Sequence, residues 1–216
     1  MFIPRERADG QMSRLLKILK KIVLFALLIL LISMGYFGYK IRGNVKQVVS
    51  YESEVEAAVK RNDIEKYKNL VLAIIYTESK GRSNDLMQSS ESAYGQQHMI
   101  DDPAESIDIG VAFLAESLKK AEEAGCDVWT AVQAYNFGLD YIDYVSQNGG
   151  ENSIRLADRY SKEVLSPLLG NKNEEKYAYY RPQSVFYNGG FLYNNGGNMF
   201  YADIVKMNEM FINMFN

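Results

Sequence analysis

Glu78 closes an apolar helical stretch, and Asp85 follows seven residues later in a polar turn that continues as Met87-Gln88-Ser89-Ser90-Glu91-Ser92. Cleaving a glycosidic bond takes two carboxyl groups in unlike surroundings. One, held where water is scarce, keeps its proton near neutrality and can give it to the leaving oxygen. The other stays ionised in a polar setting and supports the cationic centre. Ile64, Tyr67, Val71, Ile74 and Ile75 recur at helical spacing, and Glu78 lies four residues after Ile74 and seven after Val71. Its carboxyl therefore falls on the buried stripe of that helix. A glutamate at a helix end is more often simply solvated, and Asp85 after Asn84 is equally an ordinary turn residue. The pair marks acid–base chemistry on a sugar as one reading beside those two.

Other chemistries fare worse. The single histidine, His98, sits in a polar loop and cannot by itself build the common zinc sites. No serine or cysteine has an evident histidine-plus-acid partner. Ser117-x-x-Lys120 matches a penicillin-binding pattern, but it lies mid-helix with no accompanying Ser-Asp-Asn or Lys-Thr-Gly. Cys126 is the only cysteine, which excludes a disulfide framework and thiol–metal clusters. No metal and no organic cofactor is expected.

The elements that must position Glu78 and Asp85 read as helices. Asp63 is an N-cap candidate for the helix that ends at Gly81. Asp102-Pro103-Ala104-Glu105 opens another, with proline in the first turn and Ile107, Val111, Leu114 and Leu118 as its stripe, up to Gly125. Asp127 caps a shorter helix carrying Trp129, Val132 and Tyr135, which stops at Asn136-Phe137-Gly138. Ser153 starts a further helix with Ile154, Ala157, Tyr160 and Val164 inward, ended by Pro167 and Gly170. Asn-Gly-Gly at 188 to 190 and 195 to 197 brackets Phe191-Leu192-Tyr193-Asn194, the pattern of a small hairpin. An apolar helix from about Met199 to Phe215 closes the chain.

Ahead of all this, Ile22 to Tyr39 form eighteen consecutive uncharged, mostly apolar positions. That length crosses a hydrocarbon core of ~30 Å as a helix. Arg14, Lys17, Lys20 and Lys21 precede it and direct the amino end to the cytoplasm. A cleaved signal peptide is the competing reading. No small-x-small site closes the apolar run, however, and Tyr36, Phe37 and Tyr39 resemble an interfacial aromatic belt, which favours an uncleaved anchor. The expected organisation is a cytoplasmic tail (1–21), a transmembrane anchor (22–39), a helical stalk (40–62) and one domain (63–216) facing outward. Of the 24 Lys+Arg and 27 Asp+Glu, six and two precede residue 40, leaving 18 against 25 from residue 40 onward. A net charge near −7 argues against nucleic acid as a partner.

Ile74-Ile75-Tyr76-Thr77-Glu78-Ser79-Lys80-Gly81 followed by Asp85-Leu86-Met87-Gln88-Ser89-Ser90-Glu91-Ser92 resembles the lysozyme-like family of Gram-positive wall hydrolases. It is the muramidase domain also found in bifunctional wall hydrolases of conjugative elements. A short anchor followed by this domain alone is similar to membrane-anchored lysozyme-like proteins of the pneumococcal type. Ala134-Tyr135-Asn136-Phe137-Gly138 is similar to the Ala-Tyr-Asn-x-Gly signature of goose-type lysozymes and lytic transglycosylases. Ile107, Gly110 and Leu114 fit that group's small residue on a helix facing the groove, and Tyr201-Ala202-Asp203-Ile204-Val205 resembles its late tyrosine element. Among sixteen tyrosines, Tyr201 is as readily a plain core aromatic.

The resemblance implies an all-α, lysozyme-like fold with at most a small hairpin. It implies cleavage of peptidoglycan glycan strands between N-acetylmuramic acid and N-acetylglucosamine. Glu78 would be the catalytic acid and Asp85 its assisting carboxylate. Gln88, Ser89, Ser90, Tyr135, Asn136 and Tyr201 would line the sugar groove. The spacing from Glu78 to Met87-Gln88 is shorter than in the lytic transglycosylases proper, which leaves open whether the product is a reducing or a 1,6-anhydro sugar. A non-catalytic glycan-binding or assembly module with the same groove is the second class of reading, and a division or wall-assembly partner stays unspecified.

Overall fold

The computed structural model describes residues 5–90 and 99–216, with side chains from Arg14 onward. His98 and the end of the serine-rich string, Glu91-Ser92, lie outside the described residues. Two compact units are present, Met1–Gly43 and Asn44–Asn216.

The first unit is helical. Helix α1 covers Arg5–Val49, and from Ile22 to Tyr39 its large apolar side chains are exposed. Among the described residues no helix is long and apolar enough to cross a membrane. The transmembrane anchor expected at 22–39 is therefore not supported by the helices described, and it rests on the uncharged run in the sequence alone.

The second unit departs from the expected stalk. Val45, Val48, Val55, Ala58 and Val59 are buried, the first two at the end of α1 and the others on α2 (Glu52–Arg61). Residues from Asn44 on are thus core rather than spacer. Valines among charged residues suit either a solvated rod or the inner face of a packed helix, and only the presence of a partner surface decides. Asp63 does not cap a helix. It adopts φ 56°, a 3-10 turn spans Glu65–Tyr67, and α3 (Lys68–Glu78) starts without a side-chain cap.

Every residue of α3 from Leu70 to Tyr76 is buried. A helix apolar on all sides belongs at the centre of a helical domain. Each large aliphatic side chain fully buried there contributes about 1.5–3 kcal/mol over its exposed state. α3 stops at Glu78 because Lys80 and Gly81 turn left-handed, at φ 55° and 70°. α4 (Pro103–Glu123) and α5 (Val128–Phe137) begin as expected: Asp102 accepts from the Ala104 N–H, and Asp127 accepts from the Thr130 N–H. A short α6 (Asp140–Ser146) follows, which the glycine stop at Gly138 had hidden.

α7 (Ile154–Tyr160) is capped by Ser153 and runs into a π-helical turn, Ser161–Leu165, then a helical turn at Ser166–Leu168. The wider turn shifts the phase of the stripe. Leu165 and Ser166 face inward while Val164, expected inside, is exposed, and Pro167 sits within the last turn instead of ending the helix. The expected local hairpin is also different. β2 (Phe191–Tyr193) pairs antiparallel with β1 (Lys176–Ala178), Tyr177 opposite Leu192, and α8 (Pro182–Asn188) lies between the strands. The final helix α9 (Tyr201–Phe215) packs along α3. That contact joins residue 201 to residue 78.

Candidate active site

α3 delivers Glu78 half-buried at its carboxyl end, and α9 delivers Tyr201 at its first residue. The Tyr201 hydroxyl donates to Glu78 Oε1 at 2.6 Å. Burial pushes the Glu78 carboxyl up to about 7, the Tyr201 hydrogen bond opposes the rise, and the charge of Asp85 adds to it. Desolvation dominates because one phenol cannot replace the water shell of a carboxylate. Near neutral pH the group thus holds a proton it can release, the requirement for a general acid.

The start of α9 is fixed by a residue that sequence reasoning missed. Gln133, fully buried on α5, donates through Nε2 to the Asn198 carbonyl at 2.9 Å and accepts from the Ala202 N–H at 3.1 Å. The polar signal available was a glutamine inside an apolar helix. Tyr135, two residues further on α5, stacks on Tyr201 with ring centroids 6.3 Å apart and planes 10° from parallel. Its hydroxyl donates to the Met87 carbonyl at 3.0 Å. Burial, with Glu78 nearby, raises both phenols above their ordinary range, so both remain donors.

Asp85 sits in a cage of serines. Oδ1 accepts from the Ser106 hydroxyl at 2.6 Å and the Ser89 N–H at 2.9 Å; Oδ2 accepts from the Ser90 hydroxyl at 2.6 Å and the Ser90 N–H at 3.1 Å. Burial pushes this carboxyl up, but the bonds from Ser106, Ser90 and Ser89 outweigh it and hold the group below the ordinary carboxylate range. Asp85 is therefore held in its charged form near neutral pH. Ser106, on α4, was not anticipated: it also accepts from the Met87 N–H at 3.0 Å and so fixes the loop to the helix.

Glu78 and Asp85 line one cleft of about 720 Å³, together with Gln88, Ser90, Tyr135 and Asn136. Phe113, Phe137, Leu165 and Asn195 complete its walls and were not foreseen. Of the groove positions expected from the sequence, Gln88 is exposed at φ 51° and Asn136 is exposed. Asn136 Oδ1 accepts from the Asn198 N–H at 2.7 Å. Ser89 is buried, donating to the Ser106 carbonyl at 3.0 Å, and belongs to the cage instead of the groove surface. Ser90 does both, lining the cleft while its hydroxyl donates to Asp85, and that hydroxyl also accepts from the N–H groups of Met99 and Ile100 at 3.2 Å. Gly110 on α4 is required by packing: a Cβ there would meet Met87 Sδ at 2.7 Å and the Tyr135 hydroxyl at 2.8 Å. A second hollow of about 700 Å³, lined by residues including Asn62, Tyr67, Leu118 and Cys126, contains neither Glu78 nor the tyrosine pair.

Residues 45–209 match the family described as lysozyme-like. The chain belongs to the lysozyme-like family. Pneumococcal vaccine antigen A of Streptococcus pneumoniae is 47% identical over 181 residues, covering 84% of this chain and 88% of that protein. The bifunctional muramidase/DL-endopeptidase CwlT of Bacillus subtilis is 36% identical over 124 residues, 57% of this chain but 37% of that protein. A crystal structure from Staphylococcus aureus subsp. aureus Mu50, described as similar to lipoprotein, NLP/P60 family, superposes with a TM-score of 0.69 at 34% identity. It covers 76% of this chain, which spans about half (52%) of that one. The family match begins at residue 45, where the buried valines begin. These likenesses make a cell-wall hydrolase family the frame for the cleft.

Proposed function

We propose that the chain is a muramidase that cleaves peptidoglycan glycan strands at the β-1,4 bond between N-acetylmuramic acid and N-acetylglucosamine. Glu78 carries this reading: it is a carboxyl protonated up to about pH 7 on the wall of a cleft, with a tyrosine fixing one oxygen. Its proton passes to the bridging oxygen as the bond to the anomeric carbon breaks. Water then adds to the oxocarbenium-like centre and gives its proton to the Glu78 carboxylate, which restores the acid. Asp85 supports that cation as a fixed anion. Both its oxygens already accept hydrogen bonds from serines, so it acts by charge instead of by covalent attack. The similarity to a protein named as a muramidase supports the reading.

The caged Asp85 also favours a second reading, lytic transglycosylation. There the muramoyl 6-hydroxyl attacks the anomeric carbon, its proton goes to the Glu78 carboxylate, and a 1,6-anhydro sugar results. Mass spectrometry of fragments released from purified sacculi by the full chain separates the two. A reducing muramic acid supports hydrolysis, and an anhydro product supports transfer. Glu78→Gln keeps size and hydrogen bonding but removes the proton. Wild-type release by this variant would refute both, and no release by the native chain would leave a glycan-binding module.

Ile22 to Tyr39 would anchor the protein in the membrane with its amino end inside and the domain facing the wall, on the strength of the uncharged run and the preceding basic residues. Protease added to intact protoplasts should digest the domain and leave a short membrane-bound stub. A soluble chain starting near residue 36 to 40 would show a cleaved signal peptide instead.

A further inference from the structure

Asn195 lines two hollows: the cleft that holds Glu78, and a neighbouring polar one of about 390 Å³ lined by the loop at 170–175, Tyr177 and Asn194. The loop is stapled from within. Buried Asn171 donates through Nδ2 to the Ser166 hydroxyl at 2.8 Å and to the carbonyls of Glu175 and Asn194 at 2.9 Å, and its Oδ1 accepts from the Glu175 N–H at 2.9 Å. Asn195 is tied back through Nδ2 to the Leu169 carbonyl at 2.9 Å. Glu174 and Asn195 hold φ of 55° and 58°. Left-handed backbone at a non-glycine residue persists where surrounding bonds over-determine it. This hollow is preformed.

Its charges are unspent. Lys162 pairs with Glu174 at 3.2 Å, whereas exposed Lys172 has no ion pair among the described residues. Among the described residues the Glu175 carboxylate accepts one long bond, from Asn194 Nδ2 at 3.4 Å. An ammonium, a carboxylate and amide edges thus face one hollow beside the cleft. A glycan backbone of N-acetylated sugars is neutral and leaves both charges without a counterpart. The short peptide carried by each muramic acid is the part of peptidoglycan that brings carboxylates and an amine.

We infer that this hollow is a subsite for the charged stem peptide of the strand whose sugars lie in the cleft, with Lys172 taking a peptide carboxylate and Glu175 a peptide amine. The inference rests on the muramidase reading of the cleft. Two substrates test it with the full chain: glycan strands bearing stem peptides, and the same strands stripped of peptide by an amidase. Lys172→Ala should raise KM for the peptide-bearing strands about two- to fivefold more than for the stripped ones, the yield of one exposed ion pair. Lys172→Arg should restore the difference. An equal rise for both strands would mean contact with the glycan itself, including the lactyl carboxylate that the amidase frees, and no rise for either would mean no contact; each overturns the inference. Binding of free stem peptide to the full-length Glu78→Gln chain, followed by amide chemical shifts at Tyr177, Asn194 and Asn195, gives a readout independent of cleavage. Shifts there in a chain whose native form cleaves neither strand would sink the muramidase reading and leave the peptide site standing. Their absence would count against the site itself.

Discussion

Tyr201→Phe removes one oxygen atom and with it the 2.6 Å hydrogen bond to Glu78 Oε1. The bond favours the charged carboxylate, so its loss raises a carboxyl that already sits at about 7. A hydrogen bond to a charged group contributes about 1.5–3 kcal/mol, and one pKa unit corresponds to about 1.4 kcal/mol. Glu78 is only half-buried, so water recovers part of the loss, and an upward move of about one unit is the expected result. The pH profile of kcat/KM on peptidoglycan reports this directly. In the native chain, activity should fall as Glu78 deprotonates, with the alkaline limb near pH 7. In Tyr201→Phe that limb should lie near pH 8, while activity at pH 6 drops because the carboxyl is less firmly oriented. Circular dichroism checks that the ring, buried and stacked on Tyr135, still packs. A limb that stays at pH 7 or moves to lower pH would refute the reasoning that the Tyr201 hydrogen bond favours the charged carboxylate against desolvation.

Glu78→Gln should stabilise the fold at alkaline pH. A carboxyl raised from 4.5 to about 7 contributes stability fully present below its unfolded pKa and lost as pH rises through 7, so the amide should gain up to about 3 kcal/mol at pH 8 and little at pH 4, seen as a Tm difference that grows with pH. Asp85→Asn places an amide among four donors and leaves buried N–H and O–H groups without an acceptor, which should cost about 1–3 kcal/mol in denaturant unfolding and lower the alkaline limb of activity by removing the charge that raises Glu78. Gly110→Ala drives a methyl into Met87 and the Tyr135 hydroxyl, and should cost about 1–3 kcal/mol with a matching loss of wall cleavage. Gln133→Leu keeps the volume of the side chain but frees the start of α9, so kcat should fall further than substrate affinity.

Local physics was legible along the chain. The caps at Asp102, Asp127 and Ser153, the glycine turns at Gly81 and Gly125, and the placement of Glu78 on an apolar face each depend on residues within one or two helical turns. Sequence by itself therefore determined the helical class, the position of Glu78 on an apolar face and the lysozyme-like resemblance. Tertiary structure decided the rest. Valines at 45, 48, 55 and 59 became core because a partner surface lies against them, and β2 found β1 across an intervening helix, a pairing that no local pattern encodes. Tyr201 reached Glu78 from 123 residues away, and Ser106 reached Asp85 from 21. Those contacts set the properties that make the cleft chemical, since a carboxyl's proton affinity follows from how much water, charge and hydrogen bonding surround it, and distant parts of the chain supply all three.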